Sequence, residues 1–415
     1  MNGCGVMRMR AWACPCAARS VADASTVALY ESIDAVPAAW DDLTAGQSLF
    51  LQRNYLRLLE LHGPAGLGHR YALIERDGHT IAAVAAQVVD VDDELLAVRD
   101  RTAFNAGKRP VFDRLTTWLR NRGLGMLGRR VLVCGNLFSC GLDGLALAPG
   151  EDAQATWPLV LDALRKMQQA DRRIAFLLIK DLSAQDDAHR AAFATAGYAH
   201  LRVEPSMDLH ADPAWTSRAD YLQALNTKYR KAALRLDAQM AEAGCTLEPL
   251  PNLRPEQACL HALYLQVEQR AVMRFGSVGL EYLPNFAEWA GPDRFRCTVI
   301  RQGSEIVGYS AVFKSGYTAL AHMVGFDTAA NERAPIYLRL LHSIIDDGLA
   351  LGCTTLHYGR TALEPKARLG ATPTDTELWL RHANPVVNMA VGPLLQLVPQ
   401  DVAPQREPFR KHNAS

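Results

Sequence analysis

Residues 354–371, TTLHYGRTALEPKARLGA, decide how the rest of the chain is read. Thr354 to Tyr358 form a short run with Leu356 and Tyr358 on one face, the pattern of a buried strand. Gly359 and Arg360 leave its C-terminal end, where open α/β sheets place their ligands. Lys366 and Arg368 follow in a short segment after Pro365, and Gly370 ends it. Three cations, a tyrosine and Glu364 therefore converge on one strand end. Such a set suits binding of phosphate, or stabilising the oxyanion of an acyl transfer. The plainer reading is a surface loop in which Glu364 pairs with its own basic neighbours.

Working outward, residues 335–351 have helical periodicity and stop at Gly352. Residues 318–325 read as a strand. Residues 294–316, RFRCTVIRQGSEIVGYSAVFKSG, read as a hairpin turning at Gln302-Gly303. Residues 260–273 are helical. The first half repeats this grammar. Residues 70–90 form a hairpin turning at Asp77-Gly78. Strands at 131–134 and 174–179 flank a helix at 157–169, with a further strand at 142–147. A helix at 187–196 ends at Gly197, and 198–209 returns as one strand. The pattern is an internal duplication of an α/β unit of roughly 150–180 residues.

Composition narrows the class. The 415 residues are 49% hydrophobic and 21% charged, enough to bury two cores. Forty-four Lys plus Arg balance forty-four Asp plus Glu, which argues against a surface coated for DNA. Nine cysteines show no CxxC pair and no zinc spacing, so a reduced cytoplasmic protein with no metal site is expected. Residues 1–26 read as a disordered extension and 396–415 as a flexible tail.

Three stretches carry charge or glycine in suggestive patterns. Residues 109–130 set Phe112, Leu115, Trp118 and Leu119 against six arginines, a pattern that also allows weak contact with a membrane surface. Residues 123–128 contain GxGxxG, but an amphipathic helix precedes it and a strand follows. A phosphate cradle needs the reverse order, so this is a glycine-rich helix stop. Residues 221–240, YLQALNTKYRKAALRLDAQM, read as one helix with Leu222, Leu225, Tyr229, Ala232 and Leu236 as its apolar stripe. Lys228, Arg230, Lys231 and Arg235 crowd about two turns of it. An anionic partner would relieve their repulsion, a few tenths of a kcal/mol per pair.

The combination of KYRKAALR, the hairpin RQGSEIVGY, MVGFDTAANERAPIYLRLLHSIIDDGLALGCTTLHYGR and EPKARLGA resembles the FemAB-like or BioF2-like branch of the GNAT acyltransferases. The resemblance is strongest over 221–371. It implies mixed α/β sheets in two tandem GNAT-like domains, 27–212 and 213–395, with a ligand cleft between them. It also implies an acyl or aminoacyl transfer to an amine acceptor (a small molecule, peptide or glycan), with acyl-CoA or aminoacyl-tRNA as co-substrate and no permanently bound cofactor. A tRNA or carrier protein would then be the donor partner. The family's basic helix falls on Lys228, Arg230, Lys231 and Arg235. Its donor-phosphate loop falls on 331–337, with Arg333 and Tyr337. Its closing lysine falls on Lys366, with Arg368 beyond it and Tyr358 and Arg360 on the strand leading in. The loop NERAPI has no glycine, so it approaches a pyrophosphate less closely. Glu268, Glu305, His322 and Tyr337 are candidate bases. No Ser–His or Cys–His pairing is visible in the sequence, so direct attack by the amine is expected. The rival expectation is a GNAT-fold scaffold that binds a glycan, carrier protein or envelope precursor without turnover.

Overall fold

The computed structural model describes residues 25–90, 129–184, 187–270, 276–396 and 404–410. The basic stretch up to residue 128, its glycine motif and residues 1–24 lie outside the described residues.

In the first half, β1 (Ser25–Tyr30), β2 (Gly68–Arg76) and β3 (His79–Asp90) form an antiparallel edge. Asp77 and Gly78 both have positive φ, which makes the tight β2–β3 turn. Helices α1 (Ala39–Thr44) and α2 (Arg53–His62) precede the hairpin. β4 (Arg130–Cys134) pairs with β3, and β5 (Leu145–Leu147) adds to β3 as well. α3 (Ala153–Ala170) then returns the chain to β6 (Ile174–Ser183), which runs parallel to β4. Helix α4 (Arg190–Thr195) stops before Gly197, where φ is +77°.

The single strand expected at 198–209 is two strands in two different sheets. β7 (Ala199–Arg202) ends before Glu204-Pro205, and β8 (Ser206–His210) begins after it. Proline has no N–H to give a ladder, and it restricts the residue before it. The helix expected at 221–240 is also two: α5 (Arg218–Ala224) and α6 (Thr227–Glu242). Asn226 breaks it by accepting the amides of Lys228 and Tyr229 as the cap of α6. Ala233, Leu236 and Met240 form the buried stripe, and Ala232 is exposed.

The second half repeats the first. β9 (Cys245–Pro249), α7 (Gln257–Glu268) and α8 (Tyr282–Ala290) lead to the hairpin β10 (Phe295–Gln302) and β11 (Glu305–Ser315). β12 (Thr318–Phe326) follows, then α9 (Thr328–Arg333) and α10 (Ile336–Ala350). α10 packs close because Gly348 faces Leu356: a Cβ there would lie 2.7 Å from the leucine side chain. β13 (Thr355–His357) runs parallel to β12, and α11 (Leu363–Leu369) ends at Gly370. β14 (Thr372–Thr374), β15 (Thr376–His382) and α12 (Pro385–Leu395) complete the chain's main elements.

The sheet orders are β1-β2-β3-β4-β6-β15-β7 and β14-β8-β13-β12-β11-β10-β9. Sheet membership therefore crosses the expected boundary at 212/213. β8 belongs to the second sheet, and β15 lies between β6 and β7 of the first. One apolar core also spans both halves, with Phe50 edge-on to Phe313 at 5.3 Å and Tyr55 edge-on to Phe286 at 6.1 Å. Residues 404–410, expected as flexible tail, are docked instead. Phe409 bridges Leu225 and packs on Trp215 and Tyr221.

Candidate active site

The site begins where β12 and β13 part. Only three positions pair: Thr318 with Thr355, Ala319 with Leu356, and Leu320 with His357. β12 continues along β11 to Phe326, but on its other side β13 has ended. A bulge falls at the same place. Ala311 faces Met323 and Val312 faces Ala321, so His322 has no partner in either strand. Bulges re-aim local groups and recur beside active sites. The result is a fork, open beyond Leu320 and His357, with an unpaired strand edge along one arm.

The turn leaving β13 is held in an uncommon shape. Gly359, Thr361 and Ala362 all have φ between +46° and +67°. For the two residues with a Cβ, that costs about 1–3 kcal/mol each, and surrounding contacts must hold it. Lys366 supplies them. Its buried ammonium donates to the carbonyls of Tyr358 (2.8 Å), Gly359 (3.1 Å) and Arg360 (2.6 Å). An ammonium has three donors, and here all three are used. Lys366, where the family's closing lysine falls, thus clasps the turn. Burial pulls it down to about 8, against the opposing pull of Cys140 and Glu204. Tyr358 turns away from the strand end. Its hydroxyl donates to the Leu341 carbonyl inside the α10 core, and burial holds its pKa well up.

Arg360 does reach a polar centre, one shared by both halves. It donates to the Glu204 carbonyl (2.9 Å), to Thr376 Oγ1 (2.8 Å) and to the Asp181 carboxylate. Asp181, on β6, is fully enclosed and also pairs with Lys180 at 2.6 Å. Burial alone would raise the Asp181 carboxyl, but Lys180 and Arg360 bring it down to about 2. Asp181 itself has φ +60°. Three of the four non-glycine residues with positive φ among the described residues thus lie in this junction.

The Lys180–Asp181 pair fixes the loop after β4. Lys180 Nζ donates to the carbonyls of Ser139 (2.8 Å) and Gly141 (3.3 Å), and the Gly141 amide donates to Asp181 (3.1 Å). Cys140, half-buried, stands between those anchors. Its sulfur lies 3.3 Å from where a Cβ on Gly359 would sit. Beside it is His357, the last residue of β13 to pair. His357 Nδ1 bonds Asp208 at 2.5 Å, and Thr374 Oγ1 donates to the other carboxylate oxygen at 2.6 Å. His357 Nε2 is buried without a hydrogen-bond partner, and the Cys140 thiol lies close enough to act on its charge. Burial would raise the thiol, but His357 and Arg360 bring it down to about 7. Burial would lower the imidazole, but Asp208 and Cys140 raise it to about 9. A cysteine and a histidine that no sequence pattern links therefore lie together at one strand end. Nothing local in the sequence marks these residues, because three separate segments supply them.

The remaining expected site residues stand elsewhere. Lys228, Lys231 and Arg235 are exposed on α6 and Arg230 is half-buried. Lys228 Nζ lies 5.6 Å from the ring of Tyr229. Arg333 is exposed at the end of α9. The expected donor loop is partly helix, and two amides at the start of α10 are already taken: Tyr337 N–H by Asn331 Oδ1 (2.9 Å) and Ile336 N–H by the Ala334 carbonyl (2.7 Å). The Tyr337 ring packs 5.6 Å from Phe326. Arg368 pairs with Glu364, which also takes Arg406. Among the candidate bases, Glu305 is exposed at the hairpin turn and Glu268 is buried at the end of α7. His322 is boxed by aromatics, 4.5 Å from Phe286 and bonded to the Tyr282 hydroxyl at 3.1 Å; burial lowers it to about 4. Next to it, Met323 helps line a small apolar hollow whose walls include Leu260, Tyr264 and Tyr309.

Among the described residues no helix is long and apolar enough to cross a membrane, and no three metal-binding side chains converge. Residues 253–367 match the family model described as "Acetyltransferase (GNAT) domain". No curated protein matches the chain. The fold is similar to that of FemX: 10% identity, 85% of this chain and 98% of that one, TM-score 0.53. It is also similar to a tandem GNAT protein from the clavulanic acid biosynthesis pathway, at 15% identity over 87% of this chain and 99% of that one, TM-score 0.47. A third similar structure is L-PGS from Bacillus licheniformis, at 13% identity over 81% and 95%, TM-score 0.44. At these identities the FemX likeness speaks for the fold alone.

Proposed function

We propose, for a chain of which residues 253–367 match a GNAT acetyltransferase domain and whose fold is similar to that of FemX, transfer of an acyl or aminoacyl group from an activated donor to an amine acceptor. The observation that carries this reading is the fork. An extended donor can add to the open edge of β12 beyond Leu320, as a peptide adds to a sheet edge. The bulge at His322 then puts backbone off the ladder where the donor's carbonyl would arrive, the kind of polar group that stabilises an oxyanion. The pocket beside Met323 gives the acceptor an apolar wall. Acyl-CoA and aminoacyl-tRNA are both anionic donors, and the exposed cations of α6, with Arg333, give a second, electrostatic contact. Arg360 and Lys366 serve as positioning residues for the turn that closes the fork.

The test is calorimetric titration of the full chain with acetyl-CoA, longer acyl-CoAs and a charged tRNA, followed by transfer to a panel of amines. Saturable binding of one donor, with transfer to an amine, is expected; Arg333→Ala should weaken that binding. Absence of both binding and transfer across all the donors would overturn the reading.

A further inference from the structure

Cys140, His357 and Asp208 form a constellation that a direct attack by the amine leaves without a task. Asp208 orients one ring nitrogen of His357; the other is buried without a hydrogen-bond partner, and the Cys140 sulfur lies against Gly359, two residues further along. The loop carrying Cys140 is pinned on both sides by Lys180 and Asp181, so the sulfur is placed before any ligand arrives. His357 is the residue at which β12 and β13 separate, so the sulfur lies at the apex of the fork. Cys140, like Cys259, is half-buried, whereas Cys134, Cys245, Cys297 and Cys353 are buried. Backbone strain is concentrated nearby, at Asp181, Thr361 and Ala362, as is common where function fixes geometry.

We propose that Cys140 is a catalytic nucleophile that carries the acyl group as a thioester, with His357 moving the proton and Asp208 as its positioning residue. This rests on the acyl-transfer reading above. In the first half-reaction the Cys140 thiolate attacks the donor carbonyl. A C–S bond forms, the bond from that carbon to the donor's sulfur or oxygen breaks, and the His357 imidazolium gives its proton to the leaving group. In the second, the neutral amine attacks the thioester and a C–N bond forms. The amine's proton passes to the His357 imidazole, and Cys140 leaves as thiolate. No oxidant or reductant is consumed, and the enzyme returns to its starting state.

The charged groups around the sulfur come from every neighbouring element: His357 from β13, Arg360 and Lys366 from the turn and α11, Lys180 and Asp181 from β6, and Asp208 from β8. Together they set the thiolate's range. With its pKa at about 7, the thiol is half ionised there and more so at higher pH.

The experiment uses the full chain in two arms. Iodoacetamide labelling, followed by peptide mass spectrometry across pH 5 to 10, should alkylate Cys140 roughly tenfold faster at pH 7 than the half-buried Cys259. Its midpoint should lie near 7 and move up in His357→Gln. A Cys140 no faster than Cys259 would overturn the proposal whatever the donor. In the second arm, acid-quenched protein mixed with a donor that turns over should carry a hydroxylamine-labile acyl mass on the Cys140 peptide. Cys140→Ser should lose it, and turnover should fall about a hundredfold or more. Asp208→Asn should raise the thiol's midpoint and lower kcat more than it raises KM. Turnover in Cys140→Ser equal to wild type would leave acyl transfer standing by direct attack and remove the covalent step. A reactive Cys140 with no donor turned over would fell the acyl-transfer reading and this one with it.

Discussion

Lys366 shows how a residue can be found by sequence while its contacts are not. Its type and spacing stood out, and it does sit at the strand end. In the fold its three donors are spent on three successive carbonyls. Replacing it with Met leaves those carbonyls without a donor, at about 1–3 kcal/mol for each that water does not reach. We expect Lys366→Met to lower the urea midpoint at unchanged slope, and to lower turnover about tenfold or more by relaxing the turn at Gly359 to Ala362. Unchanged stability with lost turnover would return the lysine to the chemistry. Cys140, His357 and Asp208 were illegible for a different reason. Each is an ordinary residue in its own segment, and their meeting depends on which strands pair across the halves.

The elements were legible where one signal governed them. Both hairpins were readable from their turns, and the helix stops at Gly197, Gly352 and Gly370 from glycines that adopt positive φ. Two breaks were not, because a local group overrode a periodic pattern: Pro205 between β7 and β8, and the Asn226 cap between α5 and α6. The fork between β12 and β13 cannot be read from pattern at all, since it is a matter of where pairing stops. The exposed cations of α6 make a prediction that belongs to that helix as a unit. Reversing Lys228, Lys231 and Arg235 to Glu should weaken an anionic donor roughly tenfold at low salt, with the gap closing as salt rises. Equal affinity at every salt concentration would make the face a solvated one.

At the scale of the molecule, duplication was visible in the sequence but the exchange was not. Each half lends a strand to the other's sheet, and Arg360 reaches Asp181 across the junction. The two sheets also share an apolar core. Calorimetry of the full chain should therefore show one cooperative transition, with calorimetric and van't Hoff enthalpies equal. Residues 1–212 and 213–415 made separately should each fail to give a folded product, because each lacks a strand that it receives from the other. Two independent transitions, or two soluble folded halves, would contradict this.

The position of β15 also sets a timetable for synthesis. β6 and β7 are neighbours in the sequence but are joined in the sheet only through residues 376–382. At roughly 5–20 residues per second, the ribosome takes on the order of ten to thirty seconds to go from β7 to that strand. For that interval two strand edges in the newborn first half wait unpaired, the condition under which nascent chains recruit chaperones or stick to one another.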